Sequence, residues 1–157
     1  KKIHPHNRRR LLRSLSILQM TGCRQSVLIS AQHHHPVYDA FIVGCTMERS
    51  LLYERINQRV EKMFADGLVQ EVEGLLASGV TFQDPAMQGI GYREFASYFK
   101  GEKSLADVKA EIQLHSRRYA KKQYTWLRHQ MKVHWFDAGD EKEKEKIMMA
   151  IAQWRKT

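Results

Sequence analysis

Ala40-Phe41-Ile42-Val43, inside residues 38–44, is the stretch that decides the fold class. Four consecutive apolar residues without alternation, closed by Gly44, read as a short strand buried on both faces. A second strand is expected at Val133-His134-Trp135-Phe136-Asp137. Between and around these runs the apolar residues recur at helical spacing. Two strands are too few for an independent sheet. The expectation is therefore an α/β fold: a mostly helical fragment with two buried strands that join further strands of a parallel sheet. The chain opens on Lys1-Lys2-Ile3-His4-Pro5, without Met, and is read as the interior of a longer protein.

Outward from the first run, Thr46 is the expected cap of a helix over about 46–65, with Leu52, Ile56, Val60 and Met63 as its core stripe and Gly67 as its stop. A second helix over about 68–78 buries Val69, Val72, Leu75 and Leu76 and ends at Gly79. Residues 81–91 are a turn-rich connector, and a helix over about 92–99 follows, closed by Gly101. Ser104 with Asp107 three residues on forms a capping box with Asp in place of Glu, opening a long helix. After the second strand Asp140 caps a last helix, within 138–157, whose Ile147, Ile151 and Trp154 face inward. The alternating Glu141–Lys146 run is a solvated surface turn. Towards the N-terminus, Asn7 caps a helix to about residue 20, with Leu11, Leu15 and Leu18 as a buried stripe and Gly22 as its stop. Residues 23–36 read as a loop or the edge of a helical insertion. No internal repeat is found.

At 157 residues one domain and one core are expected, covering 1–157. The net charge of +9 is concentrated. Residues 1–13 carry Lys1, Lys2, Arg8, Arg9, Arg10 and Arg13 without an acid. Residues 115–128 carry Arg117, Arg118, Lys121, Lys122 and Arg128, again without an acid; elsewhere fifteen basic residues face seventeen acidic ones. Two cationic patches on a nearly neutral body point to a polyanion, nucleic acid ahead of a membrane surface. Nothing in the chain is apolar enough to span a bilayer, and no signal-peptide pattern opens it. Cys23 and Cys45 lack CxxC spacing and read as two small buried thiols in a reducing cytosol. The histidines of the His33-His34-His35 tract do not converge by themselves and have no carboxylate near them, so no metal ligands are assigned.

On the long helix Arg117, Lys121, Tyr124 and Arg128 fall at i, i+4, i+7 and i+11 and share one face. Ile112, Tyr119 and Trp126 share another, expected to pack inward. Cations with an aromatic among them suit a phosphate backbone beside an unstacked base; the alternative is a solvated basic face. The cations Arg8, Arg9, Arg10 and Arg13 oppose the dipole of their own helix, at about 0.3–1 kcal/mol each when exposed, so an anion rather than stability accounts for them. Gln88-Gly89-Ile90-Gly91-Tyr92-Arg93 combines a sharp glycine turn with an amide and a guanidinium. Neither this stretch nor Gly101-Glu102-Lys103-Ser104 meets the glycine spacing of a dinucleotide or P-loop fingerprint. Arg55 and Arg59, four apart, clamp an anion or else pair with Glu54 and Glu61. No carboxylate pair or nucleophile–histidine set stands out, so no catalytic residue is assigned here.

Met87-Gln88-Gly89-Ile90-Gly91-Tyr92-Arg93-Glu94, then Gly101-Glu102, then Arg117 to Arg128 strongly resemble the C-terminal half of bacterial tRNA dimethylallyltransferases. The order also matches: Ile3-His4-Pro5 and an Arg-rich helix come first, the Leu51 to Val60 helix next, and Val133 to Asp137 closes the match. The resemblance implies a P-loop-kinase-like α/β fold. It also implies prenyl transfer from dimethylallyl diphosphate to the exocyclic amine of an adenosine beside the anticodon, with magnesium. By position, Arg8, Arg9 and Arg10, the segment Gln88, Gly89, Ile90, Gly91, Tyr92 and Arg93, and Arg117, Lys121, Lys122, Gln123, Tyr124, Thr125, Trp126 and Arg128 would contact the tRNA anticodon stem-loop. Arg59, with Arg55, would take the diphosphate. Ser116 stands where the family usually has Thr, and Lys122 where Arg is common. The ATP-binding-type phosphate loop, the general base and most magnesium ligands would lie outside these residues, so that this polypeptide alone would bind RNA weakly and catalyse nothing. A cytoplasmic monomer is expected. A non-catalytic RNA-binding module, or an adenylate isopentenyltransferase acting on a free nucleotide, are the rival readings.

Overall fold

A computed structural model describes residues 3–31 and 38–156. The chain divides into two compact units, 1–40 and 41–157. In the first, α1 (Arg8–Thr21) begins at Asn7, whose side chain accepts from the Arg10 amide, and ends at Gly22, left-handed at φ 68°. That glycine's N–H closes the helix on the Leu18 carbonyl at 2.8 Å. Part of the expected loop over 23–36 is instead a second helix, α2 (Gln25–Ala31), tied to α1 by a Ser14–Gln25 side-chain bond. The leucine stripe is amphipathic as read, but it is not buried: Leu15 is 60% exposed. Leu11, Leu15 and Leu18 line an open groove with Ile3 and Ile29, which the short α2 borders without closing. The His33-His34-His35 tract lies outside the described residues.

The second unit runs β1 (Ile42–Thr46), α3 (Arg49–Ala65), α4 (Leu68–Ala77), a short 3-10 turn (Pro85–Gln88), α5 (Phe95–Phe99), α6 (Leu105–Gln130), β2 (Val133–Asp137) and α7 (Glu141–Trp154). Its core is Val60 of α3, Leu68 and Val72 of α4, Met87, Phe95 of α5, and Val108 and Ile112 of α6. Each helix contributes one apolar stripe to a common centre, as helical periodicity demands. Gly67, at φ 101°, turns the chain from α3 into α4. The capping box at Ser104 and Asp107 is complete, with both reciprocal bonds made, so α6 leaves the core with its first turn satisfied. Its N-terminal half buries Val108 and Ile112 in the core, and its C-terminal half runs out along the sheet.

β1 and β2 pair in parallel, Ile42 opposite Val133 and Gly44 opposite Trp135. The second strand falls where the sequence predicts it; the first starts later and ends at Thr46. Phe41 stands before it, stacked on His134 with ring centroids 4.1 Å apart. Only Gly44 in this pair is buried, so the expectation of strands buried on both faces is corrected: α6 and α7 cover them in part. A Cβ at Gly44 would lie 2.6 Å from Val133 Cγ1 and 2.7 Å from Trp135 Cε3. The glycine is there because the Trp135 ring crosses its backbone.

Further expectations are revised. Glu48, not Thr46, caps α3, accepting from the Ser50 and Leu51 amides. The Ser50 hydroxyl, then those amides, lower its carboxyl to about 2. Thr46 stays in the ladder and cannot cap. The helix expected over 92–99 is α5 alone, because residues 91–94 are taken up by the turn before it. Residues 141–146 are the first turns of α7 rather than a free turn, since Asp140 caps them and Glu143 accepts the Asp137 amide at 2.5 Å. Both cysteines are exposed, not buried. No helix among the described residues is long and apolar enough to cross a membrane.

Candidate functional site

The cationic stripe of α6 has two sides with different partners. Arg117, Lys121, Tyr124 and Arg128 face α3 and the sheet. Arg117 donates to Asn57 Oδ1 at 2.7 Å and its guanidinium lies 5.9 Å from the Tyr53 ring centre. Arg49, at the start of α3, donates from Nε to the Tyr53 hydroxyl at 3.0 Å and lies 5.1 Å from the same ring. Tyr124 donates its hydroxyl to the Cys45 carbonyl at 3.3 Å and stacks on Trp135 at 5.5 Å. Arg128 sits 5.9 Å from Tyr124 and 5.7 Å from Trp135. Aromatic faces thus hold three guanidiniums in place without neutralising them.

These residues enclose a cleft of about 360 Å³ at the carboxyl end of β1, lined by Thr46, Met47, Arg49, Lys121, Tyr124 and Arg128 among others, with no carboxylate in its wall. Ligands of open α/β sheets bind outside the carboxyl ends of the strands. Here that position carries three cations: Arg49 and Arg128, held on aromatic faces, and Lys121. Cations, aromatics and threonine hydroxyls suit an anion; they do not suit magnesium, which takes carboxylate oxygens. Among the described residues no group of three or more His, Cys, Asp or Glu is placed to hold a metal.

The other side of α6 overturns one expectation. Ile112 is buried, but Tyr119 and Trp126 are 54% and 55% exposed. The seven-residue spacing keeps the three on one helix face, but a face is buried only where a neighbour covers it, and the cover ends where α6 leaves the core. Trp126 lies in a shallow surface with Arg118, Lys122 and Gln130. Among the described residues Arg118 and Lys122 have no ion-pair partner. Gln123 is exposed, and the Thr125 hydroxyl bonds back to the Lys121 carbonyl at 3.0 Å.

The glycine turn is anchored from three directions. Gln88 Nε2 donates to the Phe82 carbonyl at 2.5 Å. Tyr92 donates to Glu71 at 2.7 Å, a bond that raises its phenol above the ordinary value. Glu94, only 5% exposed, accepts from the Gly91 amide at 2.9 Å, Arg93 Nε at 2.9 Å and His115 Nδ1 at 2.6 Å. Burial by itself pushes this carboxyl up; the Gly91, His115 and Arg93 bonds together outweigh it and hold the group below its ordinary value. Only Gly91, at φ 105°, needs glycine for the bend. Gly89 has φ −66°, a value open to any residue, so its expected part in the bend is withdrawn. Ile90 packs against the core.

The remaining expected residues stand apart. Arg55 and Arg59 are exposed on α3, outside the cleft and without a partner among the described residues. Glu54 bonds Gln58 and Glu61 bonds Lys109, so the expected ion pairs are not formed. Arg8, Arg9 and Arg10 occupy the first turn of α1, exposed and with no acid there. Sequence reading passed over Arg49, Asn57 and Glu94. Arg49 stands four residues before Tyr53, a spacing that was available. Asn57 meets Arg117 and Glu94 meets His115 across 60 and 21 residues, contacts that no local pattern marks.

Fold and cleft together define an α/β protein with a cationic, acid-free pocket at the carboxyl edge of a parallel strand pair. Residues 1–130 match the family model for IPP transferase. The chain is 43% identical over 150 residues to the tRNA dimethylallyltransferase of Bacillus cereus (strain B4264), covering 96% of this chain and 47% of that one. The crystal structure of full-length tRNA isopentenylpyrophosphate transferase from Bacillus halodurans is 37% identical, with a TM-score of 0.71 over 96% of this chain and 46% of that one. A eukaryotic dimethylallyltransferase acting on tRNA shares the fold at 22% identity, TM-score 0.80, over 97% of this chain and 42% of that one. The chain belongs to the IPP transferase family. It spans about half the length of the curated relatives it matches.

Proposed function

We propose that the protein to which this chain belongs transfers a dimethylallyl group from dimethylallyl diphosphate to the exocyclic amine of an adenosine beside a tRNA anticodon. This chain supplies groups that grip the RNA and face the diphosphate. The observation that carries the reading is α6: one side closes an acid-free cationic cleft, the other presents Arg118, Lys122 and an exposed Trp126. A pocket for a small anion thus adjoins a surface for a polymer. In the cleft Arg49, Lys121 and Arg128 face the diphosphate; Arg55 and Arg59 offer further cationic contacts outside it. Gln88 to Arg93, the outer face of α6 and Arg8 to Arg10 contact tRNA. Exposed Trp126 offers a stacking surface for an unpaired base, which an enzyme acting on a base inside a stem-loop requires. Magnesium would be held by groups other than those of the cleft. A monomer acting in the cytoplasm fits this reading.

The test is binding of an anticodon stem-loop to the chain across a salt series. With about four phosphates contacted, affinity falls about a hundredfold between about 50 and about 200 mM salt. Arg118→Ala with Lys122→Ala weakens binding and lowers the slope by about one to two. An unchanged slope in the double variant leaves the outer face of α6 a solvated face. Binding of free AMP in preference to the stem-loop favours the nucleotide-prenylating rival.

A further inference from the structure

Among the described residues Glu94 is the one charged residue in the core of the second unit, and it does not line the cleft. Its two carboxylate oxygens take three donors, two from its own turn and one from α6. The Gly91 amide bonds Oε2 at 2.9 Å. Arg93 Nε at 2.9 Å and His115 Nδ1 at 2.6 Å share Oε1. An ionised carboxylate only accepts, so Nδ1 of His115 carries the proton. The bond spans from the glycine turn to α6, two residues before Arg117. Arg93 keeps its terminal nitrogens unengaged by the carboxylate, and its side chain is 42% exposed.

We propose that Glu94 is a positioning residue of the RNA site. It fixes the Gly91 turn, the Arg93 guanidinium and the root of the basic stretch of α6 as one surface. The inference rests on the RNA-binding reading above. The chemistry favours this role over plain stabilisation: an apolar side chain would fill the core without orienting any of the three groups. An arginine tethered through Nε presents its two terminal nitrogens outward in a set plane, the arrangement for a bidentate phosphate contact.

Glu94→Gln keeps the volume and can still accept from Gly91, but its NH₂ then takes the Oε1 position that Arg93 and His115 share, so the Arg93 tether is lost and the His115 tether requires the other tautomer. The measurement is stem-loop affinity and its salt slope, at a temperature where melting curves show the variant folded. The expected result is about tenfold weaker binding with the slope reduced by about one. In an Arg93→Ala background Glu94→Gln then adds little, because both act through the same guanidinium. Unchanged affinity in Glu94→Gln overturns the proposal, and so does full additivity with Arg93→Ala. A merely structural Glu94 moves the melting temperature but not the slope. If Glu94→Gln does not fold, His115→Leu removes only the bond to α6, and about two- to threefold weaker binding is expected; unchanged affinity again overturns the role. If the unaltered chain binds no RNA at any salt, the RNA reading falls, and the role of Glu94 with it.

Discussion

Replacing Gly44 by alanine places a methyl group against the side chains of the neighbouring strand. The new Cβ would stand 2.6 Å from Val133 Cγ1 and 2.7–2.8 Å from two carbons of the Trp135 ring, where ordinary carbon contacts lie near 3.5–4.0 Å. Neither neighbour is the free end of a flexible chain. Val133 is β-branched, and Trp135 is stacked on Tyr124 beneath Arg128. Overpacking of this kind costs about 1–3 kcal/mol. Alanine also stiffens the unfolded chain, which returns about 0.4–1 kcal/mol where the backbone is compatible. The net expectation is a loss of about 1–2 kcal/mol, or about 2–8 °C in melting temperature for a chain of this size. Displacing the Trp135 ring disturbs the stack that seats Arg128, so near-UV circular dichroism changes and anion affinity in the cleft drops. Trp135→Leu makes room, so its cost is smaller in the Gly44→Ala background than alone, with a coupling of about 0.5 kcal/mol or more. A Gly44→Ala chain that melts within about 0.3 kcal/mol of the parent, with additive behaviour towards Trp135→Leu, would refute the account of why the glycine is there.

Three further outcomes follow from the geometry. Gly91→Ala, at φ 105°, costs about 1–3 kcal/mol by backbone strain alone, since its Cβ meets only Met63 Cε at 3.6 Å; Gly89→Ala should cost less than about 0.5 kcal/mol. Equal effects in denaturant melts would sink that distinction. Phe95→Ala, at a fully buried site, lowers unfolding free energy by about 3–5 kcal/mol, and a loss under about 1 kcal/mol would show that the core is placed wrongly. Glu94 and Glu48 both have folded pKa values below their ordinary ones. The unfolded state therefore binds protons first as pH falls. Their stabilisation is complete above the ordinary carboxylate range and is lost on acidification, for Glu48 over the window from 4.5 to about 2. Melting at stepped pH checks this, and Glu94→Gln should flatten the acid limb.

The fold was legible wherever the signal is local. β2, the capping box at Ser104, the Asp140 cap and the left-handed glycines at 22, 67, 79 and 101 all come from patterns a few residues wide. Misplacements occur where a neighbour in space decides. Phe41 looks like strand but stacks ahead of β1, and the strand continues through Gly44 and Cys45, whose lack of large apolar side chains hides it. Burial of the stripes was the least readable property. Leu15 and Trp126 sit on regular helical faces, yet a face is buried only where another element meets it. Of the candidate site, the cations of α6 and the 88–93 turn could be singled out in advance, because charge and glycine are visible without partners. Glu94 could not, since a single glutamate acquires its meaning from Gly91, Arg93 and His115 meeting around it.

The length of α6, about 40 Å at 1.5 Å per residue, has a consequence for how this sequence can change. Its first half is keyed into the core by Val108 and Ile112; its second half addresses Asn57, Cys45 and Trp135 through Arg117, Tyr124 and Arg128. Both halves share one helical phase. A single inserted residue between Ile112 and Arg117 would turn everything beyond it by about 100° and advance it by about 1.5 Å, swinging all three contacts off their partners at once. Substitutions at exposed Tyr119 or Gln123 cost little stability, whereas an insertion or deletion in that span is forbidden. Stability thus leaves the composition of its outer face to binding alone, while packing locks its length.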